Sequence, residues 1–80
     1  MGDRVVNDDR KRVSSEDFLA GDVYIDYPYE DAKFRWEKAT KNVYRRFYGE
    51  PEMAIDSAST LYHEAISGGW LISRDDYFRD

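Results

Sequence analysis

Seven Tyr, four Phe and two Trp in 80 residues, with no cysteine, decide how this chain can make a core. Neither a disulfide framework nor a thiolate metal site is open to it. A single core in so short a chain yields only about 3–5 kcal/mol of stability. Each aromatic ring can bury ~150–250 Å², so a few large side chains can replace many small ones. The composition therefore falls on the folded side of the disorder boundary, although 36% of the residues are charged. Tyr hydroxyls need water or a partner, so many of these rings are expected to be half-buried. That is also the state in which Tyr is enriched at protein interfaces.

The length allows one small domain. No apolar run is long enough to span a bilayer, and the first nine residues carry no signal-peptide core, so a cytoplasmic, intracellular protein is expected. Residues 1–13 offer only Val5, Val6 and Val13 as anchors and are expected to form a mobile arm ahead of a domain at 14–80.

Within that domain, Ser14 to Gly21 reads as a helical turn with a serine cap, acids in its first turn and a glycine stop. Val23, Ile25 and Tyr27 alternate with Asp22, Tyr24 and Asp26, which predicts a strand near 23–27 ended by Pro28. The period then changes. Tyr29, Ala32, Trp36, Ala39, Val43 and Phe47 recur at helical spacing, with acids at the start, Arg45 and Arg46 at the end and Gly49 after them. Pro51 can open a second helix whose apolar face holds Ala54, Ile55, Ala58, Leu61, Tyr62, Ala65 and Ile66 before Gly68 and Gly69. The predicted fold is α+β and mostly helical. An αα-hairpin spans about 29–48 and 51–66, the strand lies near 23–27, and Trp70, Leu71 and Ile72 can pair with it as a second strand near 70–72. Ser73 begins a last turn carrying Tyr77 and Phe78.

Charge is segregated along the chain, with a net value of −5. Residues 14–31 carry Glu16, Asp17, Asp22, Asp26, Glu30 and Asp31 and no base. Residues 32–49 carry Lys33, Arg35, Lys38, Lys41, Arg45 and Arg46 against Glu37 alone. If these blocks neutralise one another across exposed faces, they are ordinary decoration worth ~0–1 kcal/mol per pair. If the acids stand free, they make a field that steers a basic partner. Tyr24, Tyr27 and Tyr29 interleave with Asp22, Asp26, Glu30 and Asp31, which makes these seven residues the candidate partner-binding set. The opposite reading uses Arg35, Lys38, Lys41 and Arg45, which would share one face of the 29–48 helix and could follow a nucleic-acid backbone. The acidic balance disfavours direct nucleic-acid binding.

No catalytic constellation is visible. His63 follows Ser59 by one helical turn, but no third group orients the pair. There is no zincin spacing, calcium loop or phosphate-binding glycine loop, so no metal or cofactor is expected. The small, acidic, Tyr-rich and cysteine-free profile is similar to that of phage-encoded inhibitors of bacterial defence, some of which, among the anti-restriction and anti-CRISPR proteins, are DNA mimics. That likeness implies a non-enzymatic inhibitor that binds a basic, nucleic-acid-handling protein. The alternative is a small nucleic-acid-binding or regulatory module using the basic face.

Overall fold

A computed structural model describes residues 10–79. Its centre is a six-stranded sheet in the order β1-β6-β2-β3-β4-β5, with every neighbouring pair antiparallel. The strands are β1 (Lys11–Arg12), β2 (Val23–Tyr27), β3 (Ala32–Trp36), β4 (Val43–Phe47), β5 (Met53–Ile55) and β6 (Trp70–Ile72). The described residues also form three short α-helices: α1 (Ser15–Ala20), α2 (Thr60–Gly68) and α3 (Arg74–Phe78).

Alternation along the strands sorts the side chains onto two faces. Val23 and Ile25 of β2 stand opposite Trp36 and Phe34 of β3, and Val43 of β4 stands opposite Trp36. These residues, with Ala32, make the core under α2, which contributes Tyr62 and Ala65. The rings of Phe34 and Tyr62 lie 5.9 Å apart, and Phe18 of α1 meets Trp36 edge-on at 5.0 Å. The other face carries Tyr24, Asp26, Lys33, Arg35, Tyr44 and Arg46. There α3 lays the fully buried Tyr77 against Tyr24, with ring centroids 5.6 Å apart. One face is thus largely apolar, and the other is polar, with Tyr77 packed on it against Tyr24.

The mostly helical expectation and its αα-hairpin are overturned, because only about a third of the described residues are helical. The segment expected as a helix over 29–48 is the β3–β4 hairpin, preceded by a 3-10 turn at Pro28–Glu30. Ala32, Phe34 and Trp36 alternate with Lys33 and Arg35, and that period of two wins over the coincidental helical spacing of Tyr29, Ala32, Trp36 and Val43. The second expected helix, at 51–66, divides into β5 and α2. The division falls where Asp56 accepts from the Ala58 backbone N–H at 2.8 Å and its carbonyl accepts from Ser59 N–H at 3.0 Å. This side-chain-closed turn leaves Ser59 to cap α2 by accepting from Tyr62 N–H.

Other elements lie where the sequence placed them. Strand β2 covers Val23–Tyr27 and pairs with β6 through Tyr24, Ile25 and Asp26. Helix α1 follows Ser14, whose N–H donates to the Asp17 carboxylate at 2.8 Å. Ser73 caps α3 through Asp76 N–H at 3.0 Å. The inner end of the segment expected as an arm at 1–13 is part of the sheet. Lys11 and Arg12 pair with Leu71 and Trp70, and the guanidiniums of Arg12 and Arg10 lie 3.9 and 4.3 Å from the Trp70 ring centroid. Cation–π stacking on a distant Trp supplies the anchor that local apolar content did not show. Residues 1–9 of that expectation lie outside the described residues.

Candidate protein-binding site

Two turns meet at one end of the sheet. The β2–β3 turn (28–31) ends on Asp31, which adopts the left-handed conformation at φ 53°. The β4–β5 turn (48–52) passes through Gly49 at φ 75°. Glycine adopts that conformation without the Cβ penalty that Asp31 bears. The Tyr48 backbone N–H donates to the Asp31 carbonyl at 2.8 Å, and its phenol donates to the Asp26 carboxylate at 2.6 Å. Burial, reinforced by that bond to Asp26, pushes the Tyr48 phenol well above the ordinary tyrosine range. Tyr48 therefore holds the two turns together. Tyr48→Phe is expected to cost about 1 kcal/mol, hence ~4–8 °C in a thermal melt at pH 7. An unchanged melting temperature would show that the contact contributes nothing.

Around this clasp stand unusually exposed large side chains. Tyr29 is 74% exposed, Met53 55%, Tyr48 41% and Phe47 36%. Glu30, Asp31 and Glu50 are exposed on the same two turns. Aromatic and Met side chains rimmed by carboxylates have the composition of a protein-binding surface. Behind the clasp, on the polar face, lies an open cleft of about 300 Å³ lined by Asp26, Lys33, Arg46, Tyr48 and Arg79. Lys33 reaches across it to the carbonyls of Asp76 in α3 and of Arg79 just after it, the latter at 2.8 Å, and Arg79 pairs with Asp76 at 3.0 Å. These contacts place two of the cleft's cations on the C-terminal end of α3, where a positive charge is favoured.

The candidate acidic set does not survive as one contiguous patch. Asp22 lies beyond the far end of β2 and accepts from Lys38 N–H at 2.8 Å. Tyr24 packs on Tyr77, and Asp26 accepts from Tyr48. Tyr27 faces the opposite side of the sheet, with its ring 5.7 Å from that of Tyr29. Only Tyr29, Glu30 and Asp31 remain exposed together. Phe47, Tyr48, Glu50 and Met53 join them, and the sequence reading missed these because it placed 29–48 and 51–66 on two helices.

The basic set is dispersed as well. Arg35 lies on the polar face, ion-paired with Glu52 at 2.7 Å and with Glu37 at 3.4 Å. Lys38 and Lys41 occupy the β3–β4 turn, and Arg45 stands on the apolar face opposite Phe34. They share no face. The Ser59–His63 pair resolves into a helix cap and a ring nitrogen 3.0 Å from the Ser57 carbonyl oxygen. Among the described residues, no group of three or more His, Asp or Glu could hold a metal ion, and no helix is long and apolar enough to cross a membrane.

Comparison with known proteins places this architecture. Residues 12–80 match the family described as Tis1 immunity protein. The immune protein Tis1 of Pseudomonas aeruginosa (strain UCBPP-PA14) is 36% identical over 64 residues, covering 78% of this chain and 83% of that protein. The fold is similar to a chain in the crystal structure of the complex between the type VI effector Tas1 and its immunity protein. The TM-score is 0.75, with 33% identity over 84% of this chain and 91% of that one. With the match running from β1 to the last residue, this chain belongs to the Tis1 immunity protein family.

Proposed function

We propose that this chain is the immunity partner of a type VI effector, which it neutralises by binding and without a reaction of its own. The observation that carries the reading is the combined likeness: one family across 12–80, and one fold shared with a chain from an effector–immunity complex. The exposed aromatic and acidic turns supply a surface suited to that task. Glu30, Asp31 and Glu50 surround Tyr29 and Tyr48, so the effector face that meets them carries Lys or Arg. Family membership replaces the likeness to phage anti-defence proteins, and the dispersal of Asp22, Asp26 and Asp31 removes the geometric basis for a DNA mimic. The nucleic-acid module is set aside because Arg35, Lys38, Lys41 and Arg45 do not form a common face.

Two purified effectors test the reading: Tas1, and the product of the reading frame adjoining this chain's gene. Titration calorimetry at low salt is expected to show one-to-one binding to at least one of them. Co-expression is expected to restore growth to cells intoxicated by the one that binds. Glu30→Gln, Asp31→Asn and Glu50→Gln together are expected to slow association about tenfold at low ionic strength, with little effect at high salt. Binding to neither effector overturns the proposal.

A further inference from the structure

On the apolar face of the sheet, one residue breaks the pattern. Arg45 of β4 stands between the buried Val43 and the half-exposed Phe47, opposite the buried Phe34 on one side and Met53 on the other. Its guanidinium carbon lies 4.6 Å from the Phe47 ring centroid, and Nη2 lies 3.0 Å from the Met53 sulfur. A thioether is a weak acceptor. The Nε–H is buried and meets no acceptor. Arg35 reaches the carboxylates of Glu52 and Glu37 and Arg79 that of Asp76, whereas no carboxylate pairs with Arg45 among the described residues. A cation fixed on an apolar face by an aromatic ring and a methionine, with a donor sealed away from water, is costly to the isolated chain.

We propose that Arg45, Phe47 and Met53 form the anchoring contact for the effector, receiving a segment that presents an Asp or Glu carboxylate flanked by apolar side chains. The carboxylate would approach the outer guanidinium nitrogens, and the apolar flanks would cover Phe47 and Met53. Charge complementarity selects this occupant, since the patch holds one unpaired cation in apolar surroundings. Arg, aromatic and Met side chains are those enriched where binding energy concentrates. The patch adjoins the acidic turns through Phe47 and Tyr48, so one partner can cover both. This inference rests on the immunity reading above and refines it.

The test measures affinity for the effector that the parent chain binds. Arg45→Glu is expected to weaken binding at least thirtyfold. Arg45→Lys, which keeps the charge but loses the planar fork, is expected to weaken it about tenfold. Phe47→Ala is expected to do the same, while Lys41→Glu, at the other end of the sheet, changes it less than twofold. Far-ultraviolet circular dichroism and thermal melts establish that each variant is folded. If Arg45→Glu proves unfolded, Arg45→Lys and Phe47→Ala decide the matter. Parental affinity in these folded variants overturns the anchoring contact and leaves the immunity reading intact. A parent chain that binds no effector overturns both. If sedimentation shows that the parent is a dimer that Arg45→Lys dissociates while effector binding is unchanged, the occupant is a second copy and the proposal is wrong.

Discussion

Replacing Gly69 with alanine is expected to lower the melting temperature by about 12–24 °C, while the same change at Gly68 raises it. The two positions adjoin, yet their surroundings are opposite. Gly69 is buried at the end of α2, and its N–H donates to the Ala65 carbonyl at 2.7 Å. Its backbone, at φ −90° and ψ −172°, is ordinary extended chain, so any residue could adopt it. The obstacle is space. A Cβ there would lie 2.5 Å from the Ala65 carbonyl oxygen, 2.8 Å from the Asp26 carbonyl oxygen and 2.8 Å from Ile25 Cγ2. Two of those atoms are backbone of the helix and of the central strand, and neither can swing aside. Overpacking of this kind costs ~1–3 kcal/mol or more, and contact with two backbone oxygens puts this site at about 3 kcal/mol. A domain of this size has about 3–5 kcal/mol to lose. At Gly68 the added Cβ would lie 3.7 Å from the Tyr27 ring, an ordinary contact, and alanine is the better helix former by up to about 1 kcal/mol. Thermal melts of both variants check the pair. A Gly69→Ala protein melting within a few degrees of the parent would falsify the close-approach account.

The same glycines were legible in the sequence only as a stop signal, and that pattern recurs across the fold. Local features were readable where chemistry and structure coincide: the alternation of β2, the serine caps of α1 and α3, and the apolar Trp70–Ile72 run. The β3–β4 hairpin was not, because its turn lacks the usual signals. It turns on Lys41 at φ 67° rather than on glycine, with Thr40 accepting from Asn42 N–H and donating to Glu37. Without a visible break, Lys38 to Lys41 extended the helical count through a turn. Phe34 held the corrective clue. It is fully buried yet fell outside the helical stripe, whereas Ala32, Phe34 and Trp36 form a strand alternation. Of the candidate site, the sequence showed aromatics beside acids at Tyr29, Glu30 and Asp31. The contribution of Phe47, Tyr48 and Met53 depends on sheet register and could not be read without the hairpins.

The polar face of the sheet depends on one carboxylate, and its loss should make stability less sensitive to acid. Glu52 receives Arg35 Nη2 at 2.7 Å and Nε at 3.2 Å, and the buried Tyr77 phenol donates to it at 2.8 Å. The Arg35 and Glu52 side chains are only 14% and 27% exposed, so water screens the pair weakly. The hydrogen bonds from Arg35, helped by Tyr77 and by the charges of Arg35 and Arg46, hold the Glu52 carboxyl below its usual range against the opposing effect of burial. A carboxylate depressed in the folded state stabilises fully above its unfolded value of 4.5, and that contribution disappears as pH falls through the folded value. Burial and the bond to Glu52 push the Tyr77 phenol upward, as burial and Asp26 do for Tyr48. Unfolded tyrosines ionise near pH 10 while these two stay protonated, so stability also falls as pH rises beyond about 10. Glu52→Gln removes the fork partner and leaves Arg35 with Glu37 and the Tyr44 ring, 4.0 Å from its guanidinium carbon. A cost of about 2–3 kcal/mol at pH 7 follows, or ~8–24 °C in melting temperature. As pH falls below 4.5 the parent progressively loses the same contribution, so the gap between the two proteins should be smaller at pH 3 than at pH 7. Melts at both pH values decide it, and an undiminished gap at pH 3 would mean that the stabilisation does not come from the charged form of Glu52.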